Sequence, residues 1–502
     1  MVTREPFAGL SHAEVVVWYG FIVISTAVFV WGAAQLVAKY RRGRAEALDH
    51  PGERLARMVR TTFSHARLAR RDRTAGVGHA LIFFGFLLLF GGTTVLGIQT
   101  DLATPLLHWQ FWQGGFYLGY QLCLDVAGLA LLAGLCVMAA KRWIARPARL
   151  DYGRVDGAPG DERRTRYRVG DQIFVASLFF LAVTGFLLEG FWLAQTHPSY
   201  GGWSPVGWVL AAWFRAMGLT GAAAGLAHHV LWWVHGLVAL AFVACIPYTK
   251  AVHMLAAPAT VAVRDPRAGR HLVPVAPDAD PEDVGYGRIT DLSWRHLLSL
   301  DACTKCGKCH EACPARASGY PLSPRDLILD LREAAEAATG IHASVKLGPR
   351  GEPDALLVGQ ALRPETLWSC MQCMACVEIC PVEIEHVPII NQLRRRLVEE
   401  GELDPLLQST LETIHKSGNS FGEAKRKRGR WTGQLDFPVK DIRREPAQLL
   451  WFVGDYASFD PRNQQASRAL ATVLHHAGVD FGILFDAERT GGCDVRRVGE
   501  EG

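Results

Sequence analysis

Five apolar runs, each long enough to cross a bilayer, leave this 502-residue chain few folds to choose from. They cover residues 15–38, 78–98, 115–140, 171–195 and 229–247, the last extending toward 257. A hydrocarbon core about 30 Å thick takes roughly 20 helical residues. Within it a helix satisfies its own backbone polar groups, so the runs are expected as a five-helix transmembrane bundle. A further apolar piece, 205–226, is interrupted by Arg215 and several glycines and is read as a surface or re-entrant segment. The first run has too long an apolar core for a secretion signal, and no small-residue cleavage site follows it. It is read as an anchor.

Lysine and arginine orient the bundle. Eleven fall between residues 39 and 73 and nine between 141 and 168, whereas the opposite loops offer only Arg4 and Arg215. By the positive-inside rule the N-terminus faces outward, and everything after the fifth helix lies in the cytoplasm. With 49% apolar residues and 12 cysteines in 502 positions, the chain is neither disordered nor a small disulfide scaffold. No nucleic-acid partner is expected.

The polar remainder carries nine of the cysteines, eight of them in two identical runs. Cys303, Cys306, Cys309 and Cys313, then Pro314, read C-x2-C-x2-C-x3-C-P. Cys370, Cys373, Cys376 and Cys380, then Pro381, repeat it. Three thiolates within seven residues can wrap one cluster, while the fourth is swung away by the proline. This spacing is similar to that of two-cluster ferredoxins, where the fourth cysteine serves the other cluster. The sets so implied are Cys303, Cys306, Cys309 and Cys380 for one [4Fe–4S] cluster, and Cys370, Cys373, Cys376 and Cys313 for the other. Zinc is the competing ligand for paired C-x2-C motifs, and disulfides are disfavoured in a reducing cytoplasm. Cys123, Cys136 and Cys245 lie in the apolar runs and read as small hydrophobes.

Histidines mark a second kind of metal site. His79 stands at the cytoplasmic end of the second run, and His235 and His253 are placed on the fifth. On one continuous helix those two are five turns, about 27 Å, apart and point the same way. Imidazole is a common axial ligand of haem, and ionisable groups inside a bilayer are functional by default. The plainer alternative is hydrogen bonding between helices. His79 with His253 is the better pair, at one level, and supports one haem b. The outer half of the second run, Leu87, Leu88, Leu89 and Phe90, offers His235 no partner. Asp125 and Glu189 are candidates to carry quinol protons, or simply pair within the bundle.

The chain divides into a transmembrane part (1–257), a Pro- and Asp-rich linker (258–290), a two-cluster part (291–400), a connector (401–445) and a tail (446–502). A helix is expected over 324–338, with Leu327, Ile328 and Leu331 on one face, and another over 387–400. In the latter, Arg394, Arg395 and Arg396 read as a solvated face or a docking patch. The tail is expected as strand (449–453), helix (462–477) and strand (481–485), a βαβ unit without the further strands a parallel sheet needs. The fold class is therefore mainly α: a five-helix bundle, a helical two-cluster domain and an incomplete α/β tail.

Taken in order, these features resemble the membrane-bound heterodisulfide-reductase-like iron–sulfur proteins, a group with fused forms linking electron-transferring flavoprotein to menaquinone. Leu300-Asp301-Ala302-Cys303, Glu385-His386-Val387-Pro388, Gly418-Asn419 and Arg496-Arg497-Val498-Gly499-Glu500 carry the likeness. The five-helix part resembles the cytochrome b subunit of respiratory nitrate reductase. That likeness implies His79 and His253 as ligands of the cytoplasm-side haem and His235 as one ligand of an outer haem whose partner is missing. Such proteins usually continue into CCG repeats binding a special cluster. Here Gly454-Asp455 stands where Gly-Cys is expected and Cys493 alone remains, so this chain alone is expected to lack that site, which a separate subunit or a longer form of the chain would supply.

The resulting expectation is an oxidoreductase of the cell membrane. It would pass electrons between a cytoplasmic flavoprotein or thiol–disulfide protein and a quinone, through two [4Fe–4S] clusters and haem b. The alternative is a haem-free, membrane-tethered ferredoxin for metal handling or cofactor assembly. An optical spectrum separates the two.

Overall fold

The computed structural model describes residues 2–70, 72–156, 164–268, 272, 274–276, 278–340 and 355–500. Helices dominate: α1 (His12–Tyr40), α2 (Pro51–Ser64), α3 (Arg73–Gly97), α4 (Gly114–Ala140), α5 (Thr165–Thr196), α6 (Pro205–Ala216), α7 (Gly221–Ala244) and α8 (His253–Val263). Among the described residues, α1, α3, α4, α5 and α7 are long and apolar enough to cross a membrane. Local signals set their starts. Ser11 and Glu14 exchange side-chain and backbone hydrogen bonds in a capping box at α1. The Asp72 carboxylate accepts from the Ala75 N–H at α3. The segment read as a surface piece divides. Its first part is α6, packed on α5, and residues 221–226 open α7.

The fifth span ends earlier than its apolar pattern suggests. After Ala244 the chain makes two short turns, Ile246–Tyr248 and Lys250–Val252, before α8 begins at His253. Pro247 has no N–H to donate back to the helix and disfavours helical geometry at the residue before it. His235 and His253 therefore do not share one continuous helix, which corrects the five-turn spacing read from the sequence. Helix α8 continues through Pro258 to Val263, so residues 258–263 are helical.

Glycines bring α3 and α4 into backbone contact. A Cβ on Gly85 would stand 2.7 Å from the Ala127 carbonyl oxygen, and one on Gly134 would stand 2.6 Å from that of Gly78. Such close approach is how helices associate in lipid. Gly134→Ala is expected to push the helices apart at a cost of about 1–3 kcal/mol, read as a lower thermal midpoint in detergent.

The chain gathers into two compact units. The first joins Met1–His271 to Arg288–Ile389, so the cysteine-bearing segment belongs with the apolar helices. It includes α9 (Trp294–Ala302) and α10 (Pro324–Thr339). In α10, Ser323 caps the start, Leu327, Ile328 and Leu331 are buried, and Gly340 closes the end at φ +67°. Ion pairs fasten this segment to the basic loops. Lys39 and Tyr40 reach the fully buried Asp301 at 2.5 and 2.8 Å. Arg164 pairs with Asp326 (3.1 Å) and Asp330, and Arg149 with Glu311 (2.9 Å) and Asp72.

The second unit joins Leu272–Gly287 to Ile390–Gly502. Three short parallel strands, β1 (Lys440–Asp441), β2 (Leu449–Leu450) and β3 (Phe481–Ile483), lie in the order β1-β3-β2, with Lys440 opposite Gly482 and Leu449 opposite Phe481. The helix Pro461–His476 follows β2 and leads into β3, as the βαβ pattern predicts, while β1 is an addition. Trp431, Phe437, Ala471, Phe481 and Ile483 form its core. Arg394 and Arg395 are buried, so neither the solvated face nor the docking patch describes them. The Arg394 guanidinium donates to the Arg497 carbonyl (3.1 Å), and Asn391 donates to that of Arg496 (3.1 Å).

Candidate metal centres

Both cysteine runs follow one backbone plan. After α9 ends, Lys305 (φ +61°) and Gly307 (φ +73°) take left-handed conformations around Cys306. In the second run Gln372 (φ +52°) and Met374 (φ +65°) do so around Cys373. Gly307 has no alternative, since a Cβ there would stand 2.1 Å from the Arg149 carbonyl oxygen. The loops curl the thiols inward. Cys303, Cys306 and Cys309 line a small pocket together with Cys380, Lys305, Arg325 and His386. The Cys376 thiol is acted on most by those of Cys370, Cys313 and Cys373, and less by that of Cys380. Cys313 packs with Ala315, Leu322 and Cys370, and the Gln372 N–H points at the Cys370 sulfur (3.4 Å). The first three cysteines of each run thus share their surroundings with the last of the other.

The two groups differ in exposure. Cys309 and Cys380 of one group and Cys376 and Cys313 of the other are buried, and burial pushes the Cys380 thiol up to about 12. Iron takes thiolates and displaces those protons on binding, so the donor set suits a metal cluster. Cys373 is exposed, with Met371 beside it 67% open.

His79 lies in the second turn of α3, its Nδ1 buried without a hydrogen-bond partner. His253 is near enough to act on it electrostatically. The His253 Nδ1–H donates to the Lys250 carbonyl (2.6 Å). That bond fixes the tautomer and leaves Nε2 free to accept a metal, the usual arrangement of a ligating imidazole. An orphaned imidazole within electrostatic reach of an oriented one would suit a haem iron. At the outer level the fit fails. His235 bonds Thr184 Oγ1 (2.8 Å), and among the described residues no second histidine acts on it. His228 contacts Arg4 (3.2 Å) and His229 pairs with Glu14 (2.8 Å). The two carboxyls weighed for proton carriage are engaged within the bundle. Asp125 accepts from the Val206 N–H at the start of α6 (2.8 Å), and Glu189 pairs with Arg4 (2.7 Å).

One histidine escaped the sequence reading. His65, in a left-handed turn after α2, has its ring tilted 5.2 Å from that of His79 and edge-on 4.9 Å from that of Phe83. A lone loop histidine carries no periodic signal, and only the fold of α2 back toward α3 makes it visible.

Glu385 illustrates how tightly the cysteine segment is tied down. Its carboxylate pairs with Arg295 (2.6 Å) and His296 (3.3 Å) and accepts from the Asp265 N–H (2.9 Å). Burial works against its charge, but His296 and Arg295 outweigh burial and hold the carboxyl down to about 2, from 4.5. The folded value lies below the unfolded one, so the stabilisation is full above pH ~4.5 and is lost as pH falls toward 2. About 3 kcal/mol is at stake. Glu385→Gln should therefore lower the thermal midpoint at pH 7 and flatten its decline between pH 5 and 3 relative to wild type.

Comparison with known proteins adds to this geometry. The 4Fe-4S dicluster domain family matches residues 302–384. EtfAB:quinone oxidoreductase of Syntrophomonas wolfei is 29% identical over 526 aligned positions, covering 96% of this chain and 69% of that one. The probable iron-sulfur-binding oxidoreductase FadF of Bacillus subtilis is 30% identical over 514 positions, covering 94% and 69%. A probable membrane-anchored ferredoxin of Chromohalobacter salexigens is 38% identical over 237 positions, covering 45% of this chain and 35% of that one. No solved structure matches the chain.

Proposed function

Because the chain belongs to the family of membrane-bound, heterodisulfide-reductase-like iron–sulfur oxidoreductases, that of FadF, we propose that it carries electrons between a soluble redox protein and the membrane quinone pool. Two [4Fe–4S] clusters and one haem b would serve this transfer. One observation carries the reading: both cysteine groups and the His79–His253 pair lie in the same compact unit as the five apolar helices. When bound, clusters and haem supply the one-electron steps that join a two-electron donor to a two-electron quinone.

The chain's own residues hold and orient. Cys303, Cys306, Cys309 and Cys380 would ligate one cluster, and Cys370, Cys373, Cys376 and Cys313 the other. His79 and His253 would hold the haem. His235, with no imidazole against it, is assigned none. Exposed Cys373 and Met371 give a soluble partner its nearest approach. The name of the Syntrophomonas relative supports a flavoprotein and a quinone as the partners. A thiol–disulfide protein, met through a separate CCG-repeat subunit, is the other class. Asp455 pairs with Arg428 (2.7 Å) and accepts from the Ser420 N–H (2.9 Å), so it is no substitute for a cluster cysteine. The basic loops orient the cysteine segment to the cytoplasm and the N-terminus outward.

The test is a reduced-minus-oxidised spectrum of the purified full chain, then reduction of a short-chain quinone with a reduced flavoprotein as donor. Haem b bands and quinone turnover are expected. Iron–sulfur signals without haem bands would sink the reading and leave a membrane-tethered ferredoxin.

A further inference from the structure

We propose that Asp171 is the positioning residue that joins the two redox levels, one carboxylate bridging the lysine of the first cysteine loop to the lysine beside His253. The proposal rests on the haem reading above. Asp171 sits in the second turn of α5 and is 1% exposed. Its Oδ1 lies 3.0 Å from Lys305 Nζ and 3.0 Å from Lys250 Nζ, and its Oδ2 lies 2.7 Å from Arg142 and accepts from the Tyr152 hydroxyl.

Both lysines stand next to candidate ligands. Lys305 is bonded directly to Cys306 and lines the cavity of the first cysteine group. It is held in a left-handed conformation that a lysine rarely adopts unaided. Lys250 offers its carbonyl to the His253 Nδ1–H at 2.6 Å. A continuous contact route therefore runs from Cys306 through Lys305, Asp171 and Lys250 to His253. Other buried ion pairs fasten the cysteine segment without touching either centre. Lys39 with Asp301 and Arg164 with Asp326 are of that kind. Asp171 alone among these carboxylates contacts the immediate neighbours of both.

Electrostatics gives this position a signature beyond packing. Three cations, Lys250, Lys305 and Arg142, converge on one buried anion, and an unpaired buried charge is costly. The anion also opposes the added negative charge of reduction at either centre. The transfer it spans moves a single electron, lost by the reduced first [4Fe–4S] centre and gained by the ferric haem. No bond is made or broken and no proton moves.

The experiment is a redox titration of the purified full chain, following the clusters by electron paramagnetic resonance and the haem optically. Asp171→Asn, which keeps the shape and removes the charge, should raise both potentials. At a fixed solution potential, the reduced-to-oxidised ratio of each centre should increase by about tenfold. Lys305→Gln should lower the potential of the first cluster more than that of the haem, and Lys250→Gln that of the haem more than that of the cluster. Unchanged potentials in Asp171→Asn with all cofactors retained would overturn the proposal. So would a Lys305→Gln variant that moves the haem as far as the cluster, and this second variant decides the matter if Asp171→Asn does not assemble. Wild-type protein lacking haem b bands would overturn both this inference and the haem reading, and its spectrum, taken before any substitution, tells that case apart.

Discussion

His253→Ala and His79→Ala will each abolish nearly all the haem b absorbance of the purified protein while leaving both iron–sulfur signals in place. His235→Ala will leave the bands unchanged. The expectation follows from how each imidazole is held. The His253 ring is oriented by its bond to the Lys250 carbonyl and packs edge-on to Phe174, with ring centroids 5.9 Å apart. Among the described residues the buried Nδ1 of His79 has no hydrogen-bond partner, so no hydrogen bond at Nδ1 competes with a role as ligand. His235 has no second imidazole acting on it among the described residues. A haem held by these two imidazoles would lose half of its protein ligation when either is removed. His65 supplies the decisive control, because its ring shares the level of His79. Its own Nδ1 lies a long 3.3 Å from the Phe63 carbonyl, on a partly exposed turn. His65→Ala should keep the bands. Bands that survive His253→Ala but vanish in His65→Ala would make His65 the second residue that holds the haem.

The apolar runs and the cysteine spacing were readable from the sequence because both are local. A span needs only its own residues to be apolar, and three of four cysteines in each run lie within one loop. The βαβ pattern of the tail was readable for the same reason, whereas two-residue β1 carries no period to detect. What was hidden depends on partners far along the chain. The loop cations that orient the bundle by number also act by position, as Lys39 meets Asp301 and Arg164 meets Asp326. A count of charges carries no information on which carboxylate each will find. Arg394 and Arg395 look like solvent-facing residues on an amphipathic helix. They are buried, and the Arg394 guanidinium reaches the Arg497 carbonyl, a contact about a hundred residues away. The break at Pro247 was visible as a letter. It was overridden by the unbroken apolarity around it, which shows that hydropathy locates a span better than it locates its end.

Cys313→Ser and Cys380→Ser give the second large effect, and its direction is the informative part. Each variant should keep one cluster, with iron falling from about eight to about four atoms per chain. The cluster that goes should be the one whose other three ligands lie in the opposite run. Cys380 lines the cavity of Cys303, Cys306 and Cys309, while Cys313 stands with Cys370 beside Cys376. The two clusters can be told apart without structural work, since Cys373 is exposed and the first group is more enclosed. A hydrophilic chelator should therefore strip the second cluster first. Cys313→Ser should lack the chelator-sensitive signal, and Cys380→Ser should lack the protected one. If each run instead wrapped its own cluster with all four of its cysteines, the two results would exchange. Quinone reduction should fail in both variants, because a chain of single-electron steps is broken wherever one is removed, so the pattern of spectroscopic loss and not activity decides between the crossed and uncrossed arrangements.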